Sequence, residues 1–195
     1  MHLGLFGGSF DPPHVGHLVV AETLREAFAL DRVVWMPAAR PPHKPGHTLA
    51  PAADRLAMVR LAVAGNAAFE VSDLELRRAD ETGVPSYTVD TLRALHAAYP
   101  GAAWSLLIGE DSLATFGSWR EPAEITRLAR LVVYRRAGVG AAGAGPFAHD
   151  ARFADAGPLD VSSTDLRARL RAGRSVRYLV PDAVGAYAGA HGLYR

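Results

Sequence analysis

His14 and His17 stand three residues apart, directly after Gly7-Gly8-Ser9-Phe10-Asp11-Pro12-Pro13 and ahead of an apolar segment. On the first turn of a helix, residues three apart share a face, so both imidazoles can point at one ligand. A helix N-terminus adds backbone N–H groups and the positive end of the dipole, which favour an anion. Gly7 and Gly8 lack a Cβ and let the backbone approach a phosphate closely. The pattern suits a nucleotide phosphate undergoing transfer. Two other uses fit the same residues: capping and packing at the helix start, or metal ligation with Asp11, His43 or His47 completing a set. Against metal, the spacing is not His-Glu-x-x-His and no second ligand set is evident.

A second helix start lies at Ser162-Ser163-Thr164-Asp165-Leu166-Arg167. Ser and Thr are good N-caps. The same hydroxyls and N–H groups can hold a phosphate, with Arg167 one turn in as a charged clamp. Lys44, the only lysine of the chain, falls in a Pro-rich loop and hints at a point charge there. Asp111 follows Ile108-Gly109-Glu110 and fits either a ribose hydroxyl or a helix cap. Trp119, on a stretch of low apolar periodicity, fits either the core or stacking on a flat ring. Gly138-x-Gly140-x-x-Gly143 matches the dinucleotide spacing, but Pro146 and the lack of apolar periodicity mean that no helix opens after it.

The elements that must carry these residues alternate. Apolar runs at Leu3–Phe6, Arg32–Met36, Phe69–Ser72, Trp104–Ile108 and Leu131–Tyr134 read as strands. Helical spacing covers His14–Leu30, Ala52–Ala64, Ser86–Tyr99, Pro122–Leu128, Ser163–Ala172 and Asp182–His191, with residues 137–157 a Gly/Ala-rich connection. Strands alternating with helices predict βαβ units, hence an α/β fold with an open parallel sheet flanked by helices. The histidines, Gly109–Asp111 and Ser162–Arg167 all follow predicted strands. They should gather at the carboxyl ends of the strands, the usual crevice of such sheets.

Composition narrows the classes. Hydrophobic residues make up 49% and charged residues 21% of 195 residues, ordinary for one globular domain spanning 1–195 with a small helical portion at about 163–195. Having no cysteine, the chain has no disulfide framework, thiolate nucleophile or Cys-ligated zinc. No apolar run nears the roughly 20 residues needed to cross a bilayer, and the N-terminus lacks a signal-peptide pattern. A cytoplasmic protein without membrane partner is expected. The net charge of +1 argues against a nucleic-acid partner. Charge is nonetheless uneven: residues 1–119 hold 9 basic against 13 acidic groups, residues 120–195 hold 12 against 7. The excess of arginine in the second part is either a solvated helical face or a set facing a phosphate.

The run Gly7–His17 resembles the signature of the nucleotidyltransferase superfamily with the His-x-Gly-His motif. Four further blocks, Pro41-Pro-His-Lys44, Pro85-Ser-Tyr-Thr-Val-Asp-Thr91, Ile108-Gly-Glu-Asp-Ser112 with Trp119, and Ser162–Arg167, resemble bacterial nicotinate-nucleotide adenylyltransferases, as does Val180-Pro-Asp with His191-Gly-Leu-Tyr194. The resemblance covers nearly the whole chain except about residues 137–158. It implies a Rossmann-like nucleotidyltransferase fold and a reaction in which ATP and nicotinate mononucleotide give deamido-NAD and pyrophosphate, with Mg²⁺ carried by ATP and no protein metal ligand. By the same resemblance His14, His17 and Arg167 would be catalytic. Gly7, Gly8, Ser9, Phe10, Lys44, Gly109, Asp111, Ser163 and Thr164 would bind ATP, and Tyr87, Thr88 and Trp119 the nicotinate.

Overall fold

The computed structural model describes residues 1–39, 49–135, 147–157 and 159–195. Lys44, His43, His47 and the Gly138–Gly143 run lie outside the described residues. In chain order the elements are β1 (His2–Gly8), α1 (Val15–Ala27), β2 (Arg32–Pro37), α2 (Ala52–Val63), β3 (Phe69–Val71), α3 (Leu74–Thr82) and α4 (Thr88–Ala98). There follow β4 (Ala103–Gly109), α5 (Glu110–Thr115), α6 (Pro122–Leu128), β5 (Arg130–Arg135), β6 (Arg152–Asp155), α7 (Ser163–Arg171) and α8 (Asp182–Ala190).

The strands form one sheet in the order β3-β2-β1-β4-β5-β6, and every pairing is parallel. Side chains alternate across it with period two. Leu3, Leu5, Val34, Met36, Trp104, Leu106, Ile108, Leu131 and Val133 face α4, which contributes Val89, Leu92 and Leu95. Phe6, Val33, Trp35, Leu107 and Val132 face the opposite way, onto Val20, Ala21 and Leu24 of α1 and Val59 and Val63 of α2. Both faces are therefore covered, which is why the strands read as nearly continuous apolar runs. A third apolar cluster joins Met58 and Ala62 of α2 to Leu166 of α7 and Val184 and Ala188 of α8. The C-terminal helices thus rest on α2 rather than on the sheet.

The chain leaves β1 toward β2 on one side, while β4 lies on the other. That reversal opens a crevice beyond the carboxyl ends of β1 and β4. Gly8 and Gly109 end these two strands.

Three elements differ from the sequence expectation, α3, α5 and β6; α5 (Glu110–Thr115) is a six-residue helix that buries Glu110 and Leu113. Helix α3 was not expected, because its run LELRRADET is polar on nearly every side and buries only Leu76. Local polar bonds support it: Arg77 Nε donates to Asp73 Oδ1 at 2.8 Å, and Gly83 closes it in the left-handed region at φ 68°. Strand β6 was not expected either. It is four residues long, half-exposed, and lies at the sheet edge against β5, where short strands carry little apolar signal.

Candidate active site

The loop between β1 and α1 is fastened from beneath. Arg55 is 1% exposed, and its guanidinium donates to the carbonyls of Ser9 (2.9 Å), Ala38 (2.7 Å) and Ala39 (3.2 Å), and its Nε to Ala50 (3.0 Å). Burial lowers its pKa and the nearby Asp11 charge opposes that shift. Asp11 is equally buried. Its Oδ1 accepts from the Ala50 N–H at 3.2 Å and from the Tyr194 hydroxyl at 2.7 Å. Burial, chiefly, and this bond raise the Tyr194 pKa, so the phenol stays protonated. Phe10 holds φ 48°, a left-handed conformation that costs a non-glycine residue energy. Packing holds it there: its ring lies 5.2 Å from Trp35, 5.6 Å from Phe6 and 5.1 Å from His17.

His14 is the N-cap of α1 and is 3% exposed. Its ring stacks on that of His17, with centroids 3.7 Å apart and planes 27° apart. The His14 N–H donates to His17 Nδ1 at 3.2 Å. With Nδ1 accepting, a neutral His17 ring carries its hydrogen on Nε2 and can donate there. Gly16 explains the middle of this run. A Cβ on it would stand 3.0 Å from His14 Nδ1, so a side chain here would push the imidazole from its place along the helix.

Helix α7 meets this loop directly. Ser162 caps it, accepting from the Asp165 N–H at 3.1 Å. The Ser163 hydroxyl donates to the Pro12 carbonyl at 2.9 Å, and Arg167 donates to the Asp11 carbonyl at 2.8 Å. The first turns of α1 and α7 therefore face one space. A cavity of about 390 Å³ is walled by Gly7–Asp11, His14, His17, Asp111, Ser162–Thr164 and Arg167, with Tyr134 and Leu49.

A second cavity, of about 240 Å³, adjoins it and shares Gly7, Gly8 and Ser9. Tyr87, Thr88, Trp119, Arg120, Ser86 and Glu75 line its far end, Met36 and Ile108 its apolar floor. Thr88 opens α4. Trp119 packs on Phe116 at 5.2 Å, half in the core and half in the cavity. The Arg120 guanidinium lies 4.8 Å over the Tyr87 ring. Gly109 lines neither cavity. A Cβ on it would stand 2.5 Å from Asp111 Oδ1 and 3.1 Å from the Tyr134 ring, so its lack of a side chain lets those two groups close in.

Among the described residues, no group of three or more His, Cys, Asp or Glu is placed to hold a metal ion. Asp11 and Asp111 line the larger cavity as separate carboxylates. A hard divalent cation bound mainly by substrate phosphates and water needs no more than one or two such groups, so the residues fit a metal that arrives with its nucleotide.

Sequence reasoning did not single out Arg55, Glu75 or Arg120, and it named Tyr194 only within the C-terminal block of the resemblance, without a role. Only Arg55 carried a signal: it lies on the same helical face as Met58, Val59 and Ala62, an arginine in an apolar stripe, which requires buried partners.

An open parallel sheet with the first turns of α1 and α7 facing one cavity fits a nucleotidyltransferase domain. The cytidylyltransferase-like family model matches residues 5–169. Within that class the chain belongs to the nicotinate-nucleotide adenylyltransferase family. It is 51% identical over 196 residues to a protein of Salinibacter ruber named "Probable nicotinate-nucleotide adenylyltransferase", covering 100% of this chain and 98% of that one. A protein of the same name from Thermomicrobium roseum is 44% identical, covering 99% and 91%. The fold is also that of the Plasmodium falciparum nicotinic acid mononucleotide adenylyltransferase complexed with NaAD, with a TM-score of 0.80 at 16% identity over 99% of this chain and 97% of that one.

Proposed function

We propose that the chain transfers the adenylyl group of ATP to nicotinate mononucleotide, giving deamido-NAD and pyrophosphate. One observation carries this reading beyond family membership: two cavities of different chemistry meet at Gly7–Ser9. One is walled by imidazole, hydroxyl and guanidinium groups, the other by aromatic rings and a helix start. A triphosphate in the first and a pyridine in the second would bring their phosphates together at the glycines.

The nucleophile is then the phosphate of the mononucleotide, so the protein supplies no nucleophile. Its work is to hold two anions in line and to neutralise charge on the α-phosphoryl oxygens and the leaving pyrophosphate. His14 and His17 would take the phosphates at α1, and Ser163, Thr164 and Arg167 the leaving end at α7. Asp111 would lie along the adenosine. Magnesium bound to the triphosphate would add charge neutralisation. A carboxylate on the pyridine suits the N–H groups at the start of α4, which donate to an acceptor, whereas an amide also presents donors.

Residues 1–195 act as one domain in this reading, with α7 and α8 its helical part. No helix among the described residues is long and apolar enough to cross a membrane. The substrates are phosphorylated nucleotides that do not cross bilayers unaided, which supports the cytoplasm as the compartment.

Mixing the protein with ATP, magnesium and nicotinate mononucleotide and measuring pyrophosphate tests the reading. Release that depends on the mononucleotide is expected. No release, or equal release with phosphopantetheine in its place, would overturn it.

A further inference from the structure

Among the described residues, one basic side chain lines the pyridine cavity, that of Arg120. The one carboxyl in the same lining, Glu75, is turned to the Thr91 hydroxyl at 2.8 Å. A carboxylate ligand placed there finds its opposite charge at Arg120.

The guanidinium is positioned while its donors stay open. It lies 4.8 Å over the Tyr87 ring, a cation–π contact that holds it against the cavity wall. Its ion-pair partners stand at 3.6 Å (Asp90) and 3.8 Å (Glu121), beyond hydrogen-bond length. Both carboxylates are already engaged by Arg93, at 3.4 Å and 2.6 Å. The Arg120 side chain is 51% exposed, and ion pairs so open to water are worth little, so a ligand can displace them. A guanidinium carries five N–H donors in a fixed fork. Among the described residues none of them has a hydrogen-bond acceptor.

The backbone on either side is fixed. Glu121 holds φ 51°, a left-handed conformation that is costly outside glycine and that clusters at ligand sites. It is the N-cap of α6, with Pro122 at the first helical position, and its side chain is tied to Arg93 of α4 at 2.6 Å. On the other side Trp119 packs on Phe116. Arg120 therefore sits between two anchored neighbours.

We propose that the Arg120 side chain is a specificity-determining residue of the pyridine subsite, donating to the substrate carboxylate and so selecting the acid mononucleotide over its amide. This rests on the assignment of that cavity to the mononucleotide. A guanidinium offers donors and no acceptor. A carboxylate only accepts and can take two parallel N–H bonds from the fork. A carboxamide carries no charge and turns an NH₂ group to the same fork, so that donor faces donor.

The test compares steady-state kinetics on nicotinate mononucleotide and on nicotinamide mononucleotide in the wild type, Arg120→Ala and Arg120→Lys, with KM for ATP measured alongside. Arg120→Ala should lower kcat/KM for the acid roughly tenfold to a hundredfold, the scale of a hydrogen bond to a charged group, with the loss in KM rather than kcat. The same variant should leave kcat/KM for the amide and KM for ATP nearly unchanged, so that the acid-to-amide ratio falls. Arg120→Lys keeps the charge without the fork and should recover part of the KM for the acid. Equal loss on both mononucleotides would mark a structural role and overturn the proposal. A Lys variant as impaired as Ala would overturn it too, as would an Ala variant that keeps the wild-type kinetics on the acid. If the wild type makes no dinucleotide from either substrate, the assignment of function fails, and this proposal with it.

Discussion

Tyr194 and Asp11 are separated by 183 positions in the chain, and their side chains meet at 2.7 Å beneath the nucleotide loop. Asp11 is also the acceptor, through its carbonyl, for Arg167. The segment after α8 therefore stabilises the link between the β1–α1 loop and α7. Tyr194→Phe removes one donor from a buried carboxylate, a change that costs about 1–3 kcal/mol. We expect denaturant unfolding to report a loss in that range and KM for ATP to rise, while KM for the mononucleotide holds. Unchanged stability would show that water replaces the phenol without cost.

His17 is oriented by the His14 N–H and by the rings of Phe6 and Phe10, so its donor is placed before substrate arrives. Losing one such preorganised donor lowers kcat by roughly 10²–10³. His17→Ala should show that loss in a steady-state pyrophosphate assay. Wild-type turnover in the variant would remove His17 from the phosphate site.

Gly16→Ala tests the same site through its frame. Alanine is favoured over glycine in a helix by roughly 0.5–1 kcal/mol, so stability alone would improve. The added Cβ would stand 3.0 Å from His14 Nδ1, and the ring must shift by a few tenths of an ångström. Since a 1 Å misplacement can cost about 10²-fold, a smaller shift should lower kcat by about tenfold. A variant with undiminished kcat would mean that the His14 position is not critical.

Trp119 offers a split between substrates. It lines the pyridine cavity and not the phosphate cavity. Trp119→Ala should raise KM for nicotinate mononucleotide about tenfold, the worth of an aromatic contact and its buried area, with KM for ATP nearly constant. Equal weakening of both would indicate that the loss of packing on Phe116 spreads across the crevice.

The sequence carried the elements that bury an apolar face. Strands such as Arg32–Pro37, with five of six residues buried, and helices such as α4, with Val89, Leu92 and Leu95 on one stripe, announce themselves by period. Helix α3 and strand β6 bury too little to do so. The same holds for the site. His14, His17, Ser163, Thr164 and Arg167 cluster at helix starts and are visible as local patterns. Asp11, Arg55, Glu75 and Tyr194 act through partners 16 to 183 residues away, and no local spacing encodes a contact that the fold alone creates.

Glu75 also makes a prediction for stability that is independent of substrate. Its carboxyl is raised in the folded protein above the ordinary 4.5, chiefly by burial. The folded state therefore binds a proton more tightly than the unfolded chain does. Its contribution is fully present below the unfolded value and is lost as pH rises through the folded one. Glu75→Gln has no proton to lose. The difference in unfolding free energy between wild type and Glu75→Gln should move in favour of the variant as pH rises from acid toward neutral, then level off. Chemical denaturation across that range checks it, and a difference that stays constant with pH would mean that Glu75 titrates alike in both states.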